Sequence, residues 1–245
     1  SAYHIAQALK AFDGRAGVTV SEMAQMEFRF VSALSHSEHG IPNLERQIAE
    51  SPLLYMQVMA LLWKRTDDGH DPPQWQILDP ERSRDIAFAM HQVLEQMSRI
   101  PGTNANGEIV TGSLTAWLEE VRKLAAQYGR SEITDQCLGQ LLAKAPHENA
   151  QSWPCTPVCE AMESIASPSI ATGFVTGVRN SRGVHWRGEG GSQERELASK
   201  YRSWSQKLAF EYPYVARVLE EIAGSYDHEA KWQDSEDRVS KRLRH

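Results

Sequence analysis

The stretch TGSLTAWLEEVRKLAAQYGRSEITDQ, Thr111 to Gln136, sets the fold class. Leu114, Trp117 or Leu118, Val121, Leu124 and Tyr128 recur every three or four residues. That spacing draws one apolar stripe down a helix, with charged residues on the opposite side. Gly129 ends the pattern and Ser131 opens the next helix one residue later; glycine suits the left-handed turn after a helix and serine caps the start of one. Two helices joined by so short a link lie side by side and antiparallel.

The pattern repeats outward from this pair. Ile86, Met90, Val93 and Met97 form a second stripe, Leu197, Tyr201, Trp204 and Leu208 a third, and Val215, Val218, Ile222 and Tyr226 a fourth. Prolines stand at helix starts, where a missing N–H is harmless: Pro42, Pro80 behind Asp79 as cap, Pro154 or Pro157, Pro168 and Pro213. The helix after Val110 is expected to start near Ser113 or Thr115. Period-two alternation is confined to a few residues near Val18 to Val20. The pattern predicts an all-α chain of about nine or ten helices. They form an irregular stack of antiparallel hairpins, α-solenoid-like or a compact bundle. Residues 1–245 are read as one domain, with possible seams near 66–76 and 178–191. No repeat of fixed period emerges, and the tetratricopeptide-like Trp117, Leu118 and Tyr128 read as core.

Composition narrows the function classes. Among 245 residues, 41% are hydrophobic, enough for a substantial core, and the formal net charge of −6 disfavours a general nucleic-acid binder. The longest apolar run, Pro52 to Trp63, has about a dozen residues, whereas a membrane span needs about 20; it reads as a buried helix, and no membrane association is expected. Three cysteines, Cys137, Cys155 and Cys159, suit a reducing, cytoplasmic setting better than a disulfide scaffold. The chain shows no signal-peptide pattern and opens without Met, so a fragment of a longer polypeptide is expected.

Candidate chemistry is sparse. RNSRGVHWRGEGGSQERE, Arg179 to Glu196, brings Arg179, Arg182, His185 and Arg187 together ahead of a helix, with Gly188, Gly190 and Gly191 between. Arginines, glycines and a helix N-terminus are the parts of an anion site. Glu189, Glu194 and Glu196 oppose it, and Arg–carboxylate pairing in a structural loop is the reading preferred. Lys241, Arg242 and Arg244 make a basic tail that could touch an acidic partner or, with the loop, nucleic acid. Cys155 and Cys159 stand four apart without the second ligand pair that zinc requires. Asp67, Asp68, His70 and Asp71 form an acidic turn rather than a cation loop. His36 and His39 flank Glu38 at an expected helix end, where the dipole favours histidine. No nucleophile elbow, zinc-protease motif or dinucleotide fingerprint occurs. No catalytic residue, metal or cofactor is assigned.

GFVTGVRNSRGVHWRGEGGSQERELASKYRSW and YPYVARVLEEIAGSYDHEAKWQDSE, with WPCTPVCEAMES and DGHDPPQW upstream, resemble the C-terminal region of large, functionally uncharacterised bacterial multidomain proteins. The resemblance implies a bacterial source and a C-terminal module of a longer chain, among defence-type multidomain proteins. It transfers no catalytic residue. The expected function is a non-catalytic helical interaction or sensing module, whose partner is a protein or another domain of the same polypeptide. The alternatives are a nucleic-acid contact module using the Arg179–Arg187 loop and the tail, and an enzyme whose site is assembled from distant residues.

Overall fold

A computed structural model describes residues 2–35, 37–147, 152–181 and 191–243, with 237–243 as helix backbone. Among the described residues the chain is all-α, with twelve α-helices, one 3-10 turn (Pro73–Trp75) and a lone antiparallel bridge between Thr103 and Ile109. The helices are α1 (Ala2–Phe12), α2 (Val20–Arg29), α3 (Val31–Leu34), α4 (Pro42–Glu50), α5 (Pro52–Leu62), α6 (Pro80–Gln96), α7 (Thr111–Gln127), α8 (Ser131–Leu142), α9 (Thr156–Ile165), α10 (Pro168–Ser181), α11 (Ser192–Leu208) and α12 (Pro213–Leu243). The count slightly exceeds the expected ten because the N-terminal third holds short helices that periodicity resolves poorly. The chain divides into two compact units, residues 1–134 and 135–245, and the division falls inside α8 rather than at 66–76 or 178–191.

In the first unit α2 packs on α4, and α5 packs on α4, α6 and α7. Leu34, Ile48, Met56, Met59, Leu114 and Val121 are its sealed centre. Each such side chain contributes roughly 1.5–3 kcal/mol through burial. Trp117 lies against Tyr55 edge-on, with ring centroids 5.1 Å apart. Near Val18 to Val20, Thr19 caps α2 and accepts from the Glu22 amide at 3.2 Å, while the Glu22 carboxylate accepts from the Thr19 amide at 2.8 Å, a reciprocal capping box. One expected boundary moves. Helix α7 starts at Thr111, earlier than Ser113 or Thr115, with Val110 at its cap position and no side-chain cap bond. The Asp79 cap of α6 is present, accepting from the Glu81 amide at 3.0 Å.

In the second unit α11 and α12 form a long hairpin, and α9 and α10 pack on α12. Phe174, Val158, Met162, Val215, Leu219 and Ile222 are sealed from solvent there. Helices α8 and α10 meet through glycines: a Cβ on Gly139 would run into the Ile170 carbonyl oxygen, and one on Gly173 into that of Gln136. Only a residue without a side chain permits backbones so close. Gly191, before α11, meets Ala230 of α12 in the same way. The Gly191 amide donates to Asp234 at 3.1 Å, and Arg195 pairs with the same carboxylate at 2.8 Å, fixing the hairpin's register.

Candidate functional site

Of the candidate residues from the arginine-rich loop, Arg179 lies in the last turn of α10. Its guanidinium reaches Glu229 of α12 at 2.6 Å, with the Arg179 side chain 53% exposed. It is therefore a paired surface arginine. Arg182, His185 and Arg187 lie outside the described residues, as does Arg244; Lys241 and Arg242 fall in the final turn of α12, described as backbone.

The loop after α5, read as a solvated acidic turn and possible seam, is pinned instead. Arg130, 1% exposed, donates to the carbonyls of Trp63 and Tyr128, each at 2.7 Å. It also grips Asp71 with both terminal nitrogens, at 2.8 and 2.6 Å. Arg65 forks onto Asp67 at 2.6 and 2.9 Å and reaches Asp71 at 3.5 Å. The Thr66 amide and hydroxyl both donate to the Gly129 carbonyl at 2.9 Å. Trp75 closes the arrangement edge-on against Tyr128, with centroids 4.7 Å apart. The hydrogen bond from Arg130, strengthened by the charges of Arg130 and Arg65, holds the Asp71 carboxyl below its usual value against the opposing effect of burial. Asp67 and Asp71 are thus both engaged by arginines.

Two further carboxylates act as helix caps supplied from a distance. Glu27 of α2 is completely buried and accepts from the amides of Asn43 and Leu44, at 2.9 and 2.7 Å, at the start of α4. Glu163 of α9 accepts from Tyr214 at 3.0 Å and Val215 at 3.2 Å at the start of α12. Pro42 and Pro213 each occupy the first helical position. A carboxylate there satisfies orphan N–H groups and meets the positive end of the helix dipole.

The Glu27 cluster borders a cleft. Asn43 donates its side-chain amide to Glu27 at 2.9 Å and to Asp13 at 3.3 Å. His39, 7% exposed at its side chain, places Nε2 3.4 Å from the same Glu27 oxygen, Oε1. Asp13 and His39 are among the residues lining a cleft of about 690 Å³ between α1 and the α3 segment. Tyr3, Gln7 and Lys10 of α1 line one side, Ser32, Ser37 and Glu38 the other, and Ala2, Ala6 and Ala33 give it small apolar surfaces. Lys10 and Glu38 have no ion-pair partner among the described residues. The volume falls in the range of small-molecule sites. His39 stands in the turn after α3 rather than at a helix end.

Sequence reading missed this site because α1 carries its lining at spacings of three and four that are mostly polar. The signal present was Tyr3, Ala6, Gln7 and Lys10 along one face of α1, with Asp13 just after it. Among the described residues no group of three or more His, Cys, Asp or Glu could hold a metal ion. Cys155 and Cys159 are both buried, and the Cys159 thiol donates to the Pro154 carbonyl at 3.3 Å. No described helix is long and apolar enough to cross a membrane. No protein-family model, curated protein or solved structure matches the chain.

Proposed function

We propose that the chain is a non-catalytic helical interaction or sensing module, carried in the cytoplasm within a longer bacterial polypeptide, and that the α1–α3 cleft is where it binds a ligand. The supporting observation is a contrast in how charges are used. The buried or half-buried ions Glu27, Arg130, Asp71 and Glu163 are engaged by helix ends, loop carbonyls or each other. Lys10 and Glu38 face a cleft instead, without ion-pair partners among the described residues. A scaffold that commits its interior charges to structure and leaves opposite charges at a cleft suits binding more than bond-making. The histidine of the cleft has its Nε2 buried 3.4 Å from Glu27. The partner this reading implies is protein, another chain or another part of the same polypeptide, with cleft occupancy biasing the contact.

A thermal-shift screen of small polar metabolites, with recovered compounds checked for conversion, tests the reading. The expected result is a ligand that raises the melting temperature and returns unchanged. Conversion of a bound compound, lost in His39→Gln, would overturn it. Nucleic-acid contact gains no support from Arg179, whose guanidinium is held by Glu229.

A further inference from the structure

We propose that the α1–α3 cleft takes a free amino acid with an aromatic or other long apolar side chain: its carboxylate at Lys10, its ammonium at Glu38 and Asp13, its side chain along Tyr3. This deepens the binding reading and rests on it. The sign pattern carries the argument. The cleft wall presents one ammonium, Lys10, and two carboxylates, Asp13 and Glu38. A simple anion would face two like charges, and a simple cation would face Lys10. A ligand bearing both signs on one carbon satisfies all three.

Spacing supports the same class. Lys10 stands in the last turn of α1 and Asp13 in the turn that follows it, three residues on, and both line the cleft. That suits groups separated by a single carbon. Tyr3 lies seven residues before Lys10, which is roughly 10 Å along the helix at 1.5 Å per residue. The methyl groups of Ala2, Ala6 and Ala33 add apolar surface to the lining beside Tyr3, with Gln7, Ser32 and Ser37 among them. The charged end is preorganised: Glu27 holds Asn43 at 2.9 Å and Asn43 holds Asp13 at 3.3 Å, so a fully buried carboxylate orients an exposed one. Asp13 thereby accepts on one oxygen from a neutral donor.

The test is calorimetric titration of the whole chain, at low salt, with L-phenylalanine, phenethylamine and 3-phenylpropanoate. L-Phenylalanine should bind one to one, and each half-charged analogue about tenfold or more weakly, because one charge-assisted contact is lost. Lys10→Gln and Glu38→Gln, both at exposed positions, should each weaken L-phenylalanine binding by about tenfold. Glu229→Gln, in the other unit, should bind like wild type. Circular dichroism on every variant confirms that folding is retained. Absence of L-phenylalanine binding, or full affinity in Lys10→Gln, sinks the assignment. Equal affinity for phenethylamine also sinks it, and then the cleft is a cation site while the broader binding reading stands. Chemical conversion of L-phenylalanine would instead defeat the binding reading itself.

Discussion

Arg130→Ala should be among the most damaging single changes in the first unit. The side chain is 1% exposed, donates to two carbonyls at 2.7 Å and grips Asp71 at 2.6 and 2.8 Å. Truncation strands the half-buried Asp71 carboxylate and removes a donor from Trp63 and from Tyr128. Breaking a buried pair from one side costs about 3–5 kcal/mol, and each orphaned carbonyl adds roughly 1 kcal/mol where water cannot reach it. Two things pull the other way. Arg65 stays 3.5 Å from Asp71, and water entering the vacated space can solvate the carboxylate. The expected loss is therefore about 3–4 kcal/mol. Arg130→Lys keeps the charge but loses the two-pronged grip and should fall between the two. Urea denaturation followed by circular dichroism gives the global figure. Amide exchange at Thr66, whose N–H bonds the Gly129 carbonyl at 2.9 Å, gives the local one. The double variant Arg130→Ala with Asp71→Ala should recover part of the loss, because no charge is then stranded. A loss below about 1 kcal/mol in Arg130→Ala, as for an exposed pair, with unchanged exchange at Thr66, would refute the reasoning.

Arg179→Ala, which breaks a half-exposed pair to Glu229, should cost about 0–1 kcal/mol in the same assay. Glu27→Ala should cost about 3 kcal/mol or more, since it leaves buried amides of Asn43 and Leu44 without an acceptor; a change under 1 kcal/mol would show that the cap is dispensable. Asp71 titrates lower in the folded chain than unfolded, principally through its hydrogen bond from Arg130. Its stabilisation is present in full above the ordinary carboxylate value of about 3.9 and is lost as pH falls through the depressed folded value. Asp71→Asn should flatten that acid limb of the stability curve. Cys155 and Cys159 are buried, and burial pushes the Cys137 thiol up to about 12. A thiol reagent at mildly alkaline pH should therefore modify the three slowly in the native chain and rapidly in denaturant; fast stoichiometric labelling of the native chain would contradict this packing.

The sequence by itself determined the helical class, most helix starts and the buried stripes. Those are local properties. Periodicity at three and four residues places Leu114, Val121, Val215 and Ile222 on one side of their helices, and all four are buried. Prolines at 42, 80, 168 and 213 open helices because a fixed backbone angle and a missing N–H are tolerated there. The capping box of Thr19 and Glu22 is equally local, though the sequence reading did not name it. Tertiary structure alone decided which charges meet. Arg130 and Asp71 are 59 residues apart, Glu163 and Tyr214 are 51 apart, and Arg179 and Glu229 are 50 apart. A carboxylate in a one-dimensional pattern reads as a solvated surface group, and nothing in its neighbours tells whether a distant helix end will settle on it. The cleft follows the same logic. Tyr3 and Lys10 share a face of α1 by spacing and Asp13 follows the helix directly, but Glu38, His39 and the Glu27–Asn43 support reach them only when α2 and α4 pack. Side-chain periodicity is fixed by the backbone, whereas the pairing of polar groups depends on which elements the core brings into contact.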